Sequence, residues 1–158
     1  MSKETLNVFL YMLITFVALT VDQLTKLIIV NSMQPGDSLA VIKDFFYITY
    51  VRNPGGAFGI LAYRTEIFVV LAVFFILVVV TLPAYFSARN LKMTCALAVL
   101  TGGVMGNLID RLRGGYVVDF LDFRIWPFYN AAPVFNAADV FIFIGAAFLF
   151  IALLRKTS

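Results

Sequence analysis

Four uncharged or nearly uncharged apolar runs divide this chain. Thr5 to Val21 carries no charge, and the run continues to Val30 across Asp22 and Lys26. Ile67 to Ala88 is uncharged, and so is Met93 to Ile109, which ends at Asp110 and Arg111. The last run, from about Asn136 to Leu154, holds a single charge, Asp139, at its start. A bilayer-spanning helix needs roughly 20 mostly apolar residues. The pattern predicts an α-helical integral membrane protein with four transmembrane helices, over about 6–30, 67–88, 93–111 and 136–155. With no repeat or low-complexity linker, residues 1–158 read as a single membrane-embedded domain. The first run resembles a signal peptide, but it is long and is followed by VDQLTK rather than a small-x-small site, so it reads as a retained span.

The connections differ in kind. Ser87 to Lys92 is short, whereas about 31–66 and 112–135 are long. In the first long loop, SLAVIKDFFYITYVRNPGGAFG is rich in β-branched and aromatic residues before a Pro-Gly-Gly turn, and it predicts a small β-strand cradle between spans one and two. Its rings (Phe45, Phe46, Tyr47, Tyr50, Phe58) suit a membrane interface. Four spans put both termini on one side, together with the short loop. Lys3, Arg89, Lys92, Arg155 and Lys156 are dense there, in far shorter segments than those holding Lys43, Arg52, Arg64, Arg111, Arg113 and Arg124. The expectation is cytoplasmic termini, a multi-pass protein of the cell membrane, and long loops outside.

Composition agrees and removes alternatives. The chain is 62% hydrophobic and 13% charged, with a mean hydropathy of +0.96. One core of this size cannot hide so much apolar surface from water, so lipid is the expected surrounding. A net charge of +3 without a basic run offers nothing to nucleic acid. One cysteine, Cys95, excludes an intramolecular disulfide, and there is no histidine.

The polar residues inside the spans converge on one level. Asp22, Gln23, Thr25 and Lys26 sit near the outer end of span one, Asn107, Asp110 and Arg111 at the outer end of span three, and Asn136 and Asp139 at the outer start of span four. Asp119 and Asp122 lie in the loop between. Asp22 and Lys26 share a helix face at i,i+4 and are expected to pair. Asp110 and Arg111 read as a helix-end ion pair, and Asn136 as a helix cap. Gly102-x-x-x-Gly106 allows close approach of a second helix. Singly, each has a structural explanation; three helices presenting ionisable groups at one depth call for a functional one.

Without histidine there is no Ser-His or Cys-His pair and no His-based zinc site. No loop has calcium-type acidic spacing, so neither metal nor cofactor is expected. Paired carboxylates remain. Close together, their pKa values split, one acting as base toward water and the other as acid toward an amide. Asp139 with Asp119 or with Asp122 would serve, and spacing does not choose. The alternative is a small four-span proton-coupled carrier using the same acids. It would need polar groups reaching the opposite face, and the inner halves of the spans are nearly uncharged.

Five segments carry a resemblance: DQLTK (22–26), NPGGAFG (53–59), GNLIDR (106–111), GYVVDF (115–120) and FNAAD (135–139). In this order and spread over nearly the whole chain, they make it resemble the bacterial lipoprotein signal peptidases, the type II signal peptidases. The resemblance implies an intramembrane aspartic endopeptidase that cuts diacylglyceryl-modified prolipoproteins just before the lipidated cysteine. It implies Asp119 and Asp139 as the catalytic pair, which leaves Asp122 as a loop acid. Asp22, Lys26, Asn53, Asn107, Asp110, Arg111 and Asn136 become positions that bind substrate or support the dyad. It also implies an active site near the extracytoplasmic face, with membrane lipids and the prolipoprotein as partners. A monomer is expected.

Overall fold

The computed structural model describes residues 2–56, 61–81, 91–124 and 133–154. Among these residues, four helices and three strands follow in the order α1 (Lys3–Ser32), β1 (Ser38–Ile42), β2 (Phe46–Asn53), α2 (Thr65–Thr81), α3 (Leu91–Gly114), β3 (Val117–Phe123) and α4 (Ala137–Leu154). Ser2 caps α1, its side chain accepting from Thr5 N. α1 and α3 are long and apolar enough to cross a membrane, while the described parts of α2 and α4 are shorter and apolar. The expected ends of spans two and four, and Arg89, Arg155 and Lys156, lie outside the described residues.

Outward-facing side chains on the helices are large and apolar: Phe16 and Phe74 are each 65% exposed. α3 is the hub. It packs against both α1 and α4, and eleven of its residues, from Thr94 to Leu108, are buried. Glycines make this possible. A Cβ on Gly102 would lie 2.6 Å from Ala18 Cβ of α1, and one on Gly103 2.5 Å from the Ala138 carbonyl oxygen of α4. One on Gly106 would run into the Asp22 carboxylate. Gly145 of α4 returns the contact, 2.7 Å from Leu100 Cβ. The small-residue pattern of the sequence is therefore a two-sided seam. Gly103→Val meets backbone that cannot swing aside, so it is expected to lower stability by roughly 1–3 kcal/mol or more. Thermal unfolding in detergent measures this.

The strands form one antiparallel sheet in the order β1-β2-β3. Two strands come from the first long loop, as expected. The third comes from the second long loop, so the cradle is not built between spans one and two alone. VVDFLDF is a β-rich run, but its residues 117–120 are all buried and show no in-out alternation. It pairs with β2 and packs on α1 and α3. Tyr50, Val118 and Phe120 meet Ile29 of α1 in a small apolar cluster that seats the sheet on the helices. The register opposes Val51 to Asp119 and Tyr47 to Asp122, with an irregularity between Ile48 and Val51. Of the loop aromatics, Phe46 stacks on Phe123, which stacks in turn on Phe135; Phe58 lies outside the described residues.

Candidate active site

The start of α4 positions Asp139. Asn136 precedes the helix, its Oδ1 accepts the Asp139 N–H (3.0 Å), and its own N–H donates to Asp139 Oδ2 (3.2 Å). This is a reciprocal capping arrangement. The next orphan amide, Ala138 N–H, donates across the fold to Asp22 Oδ1 of α1 at 2.9 Å. Two first-turn donors are thus satisfied by side chains, and the residue carrying Asp139 is held from both ends.

Asp119 arrives on β3. Asn53, at the end of β2, donates to its Oδ2 at 2.9 Å, and Asn136 donates to its Oδ1 at 2.6 Å. Asn53 is fixed by its own turn, since its Oδ1 accepts the Gly55 N–H at 2.9 Å. Asn107 of α3 donates to Asp139 Oδ1 at 2.8 Å. Asp119 and Asp139 line one cavity of about 380 Å³. Asn53, Asn107 and Arg111 share its polar side; Phe135, Ile142, Phe143 and Ala146 form an apolar wall.

Asp119 is 2% exposed. Burial pushes its carboxyl up to about 7, and the negative charge of Asp139 pushes the same way; the amide bonds from Asn53 and Asn136 and the charge of Lys26 oppose this. Of two carboxyls facing one cavity, one therefore holds a proton near neutral pH.

Asp122 goes elsewhere. On a strand, positions three apart face opposite sides. Asp122 accepts from Thr49 Oγ1 at 2.7 Å and from Arg124 Nη2 and Nε at 3.0 and 3.1 Å, and Arg124 lies over the Tyr47 ring at 3.6 Å. Its charge is neutralised on the sheet, and it does not line the cavity.

Behind the cavity lies a buried ionic cluster. Lys26 Nζ is 2.9 Å from both Asp22 Oδ2 and Asp110 Oδ2, and it donates to Asn107 Oδ1 at 2.9 Å. Asp110 Oδ2 also accepts the Val118 N–H of β3 at 3.1 Å. The Asp22–Lys26 pair is as the helical spacing predicts. The expected Asp110–Arg111 pair is not what forms. Asp110 turns to Lys26, because consecutive residues point about 100° apart on a helix. Arg111 instead donates to the Gly55 carbonyl (3.0 Å) and lies over the Phe68 ring at 4.7 Å, tying the Pro-Gly-Gly turn and α2 to α3. Gln23, not among the site positions expected above, belongs to this cluster as well. Its Nε2 lies 3.1 Å from Asp110 Oδ1 and 3.2 Å from the Gly106 carbonyl oxygen, so it braces α1 against α3. Face-matching with Lys26 singled out Asp22 and left its neighbour aside, although an amide inside an apolar run is itself a signal.

All of these groups come from one chain, and helices crossing beneath a small sheet hold two acids over one cavity. Fold and site together define a membrane-enzyme class. A solved structure described as a bacterial membrane enzyme superposes with a TM-score of 0.87 at 39% identity, over 94% of this chain and 89% of that one. A second, described in the same terms, gives 0.82 over 92% of each. The lipoprotein signal peptidase of Moorella thermoacetica is 45% identical over 139 residues, 88% of this chain and 89% of that protein. That of Staphylococcus haemolyticus is 38% identical over 99% of this chain and 98% of its own length. Residues 14–155 match the family model for Signal peptidase (SPase) II. The chain belongs to the signal peptidase II family. Membership makes it a peptidase, and the carrier alternative is not favoured.

Proposed function

We propose that this chain is an aspartic endopeptidase that removes the signal peptide from diacylglyceryl-modified prolipoproteins, cutting just before the lipidated cysteine, with Asp119 and Asp139 as its catalytic pair. The observation that carries the reading is that these two acids, and not Asp122, line the same cavity. Asp139 acts as base, taking a proton from water as the oxygen attacks the scissile carbonyl. Asp119 holds the shared proton and donates it to the carbonyl oxygen, giving a neutral tetrahedral diol. Collapse of the diol breaks the C–N bond. The proton on Asp139 goes to the departing nitrogen, and Asp119 recovers its own from the diol hydroxyl, so the pair ends as it began.

Position fits this chemistry. Acyl chains on the cysteine anchor the substrate in the outer leaflet, and its apolar signal helix spans below, so the scissile bond falls near the membrane surface. The four helices are read as spans with cytoplasmic termini in the bacterial cell membrane, and the sheet then lies on the outer face. The apolar wall of Ile142, Phe143 and Ala146 suits an apolar signal segment. With every site residue on one chain, a monomer suffices.

The test is cleavage, in detergent or lipid, of one prolipoprotein with and without its diacylglyceryl group. Cutting of the modified form, with the new N-terminus at the lipidated cysteine, is the expected result. Equal cutting of the unmodified form removes lipid recognition from the reading, and no cutting of either removes the reading.

A further inference from the structure

The amides around the two acids can each be turned two ways, and only one way makes the site. An asparagine side chain offers an acceptor on one side and donors on the other. Which side faces Asp139 decides whether that carboxylate meets a donor or another acceptor. A lysine ammonium has no such freedom, because it only donates. Lys26 Nζ sits 2.9 Å from the side chain of Asn107, so the atom facing it is the amide oxygen. The NH₂ of Asn107 therefore faces Asp139 Oδ1, at 2.8 Å. The same amide oxygen accepts from Asn136 at 3.1 Å, which makes that side of Asn136 its NH₂. That NH₂ also reaches Asp119 Oδ1 at 2.6 Å, leaving the Asn136 oxygen for the Asp139 N–H.

We propose that Lys26 is the positioning residue that sets the direction of the Asn107 amide and so aims its donor at Asp139, while the donor-only Asp139 N–H sets that of Asn136. This rests on the aspartic reading above. Lys26 is 3% exposed and does not line the cavity, so apart from the pull of its charge on Asp119 it acts through Asn107. Asp22 and Asp110 hold the ammonium in place, each at 2.9 Å. The simpler role for Lys26 is to neutralise those two buried carboxylates, and the two roles separate experimentally.

In the triple variant Asp22→Asn/Lys26→Met/Asp110→Asn the cation and its two anions leave together, so no buried charge is stranded. With folding checked by thermal unfolding in detergent, the proposal expects kcat to fall on the order of a hundredfold with KM little changed, the cost of misplaced catalytic groups. A folded triple variant that cuts at close to the wild-type rate overturns it, because neutralisation is then all that Lys26 supplies. Should the triple variant not fold, Lys26→Met/Asp110→Asn decides. That change keeps the net charge of the cluster, leaves Asp22 its donors Ala138 N–H and Gln23, and removes the cation facing Asn107. A loss of similar size at neutral pH supports the proposal; an unchanged rate overturns it. Asp119→Asn and Asp139→Asn run alongside. If those two still cut, the dyad reading has failed; if they are inactive while the triple variant is active, only the role of Lys26 has.

Discussion

Replacing Asp139 or Asp119 by asparagine should abolish cleavage of a lipid-modified prolipoprotein, each by roughly 10²–10⁴-fold, while Asp122→Asn should cut nearly as well as the wild type. The size follows from what a positioned acid or base contributes to a proton transfer. Asparagine is close to isosteric and neutral, so it removes proton chemistry while keeping most of the packing. At position 139 the amide would also turn a donor toward Asn107 or the Asn136 N–H, both of which already donate there. At position 119 it would meet donors from Asn53 and Asn136 in the same way. Asp122 is different because its partners, Thr49 and Arg124, lie on the sheet. Its loss should show in the stability of the sheet rather than in turnover. Initial rates on one substrate, with folding of each variant checked, measure all three. Cleavage by the Asp119 variant together with inactivity of the Asp122 variant would reverse the assignment.

The second large effect is on pH. The Asp119 carboxyl is pushed up to about 7, by burial first and by the charge of Asp139 second. In the proposed mechanism the active form of the pair carries one proton, so kcat/KM, which follows the free enzyme, should fall about tenfold per pH unit well above about 7, as that proton is lost. The midpoint belongs to the pair rather than to Asp119 alone. Stability carries the same sign. An aspartate whose folded-state pKa lies above its unfolded value binds its proton more tightly when folded. The contribution of Asp119 to folding is therefore full at low pH, declines as pH rises from about 4 through about 7, and is flat beyond. Asp139→Asn removes the charge that helps raise Asp119, so the stability midpoint assigned to Asp119 should move down in that variant. Measurements of kcat/KM and of thermal unfolding across pH 4–9 test both statements, and a kcat/KM that climbs through pH 8 would contradict the assignment of the proton to this pair.

The sequence by itself marked out the apolar helices and where chemistry could sit. Uncharged runs locate α1, α3 and the starts of α2 and α4 to within a few residues, because apolar length is a local property. Spacings of three and four residues place Asp22 with Lys26 and Asn136 with Asp139, because those contacts lie within one turn of one helix. The Gly102-x-x-x-Gly106 pattern announced a close approach. Only the tertiary structure decided the rest. Spacing alone left Asp119 and Asp122 equal, and the resemblance named Asp119. The fold shows a physical reason for the difference: the pairing of β3 with β2 turns one acid toward the helices and gives the other to Arg124. β3 itself was hidden because a strand buried on both faces shows no alternation. Asp110 was matched to its neighbour Arg111, but its partner lies on α1, and no local spacing reports an ion pair between helices so distant in sequence. The Asn107 amide likewise stands between Lys26 of α1 and Asp139 of α4, so its surroundings exist only once α1, α3 and α4 are packed together.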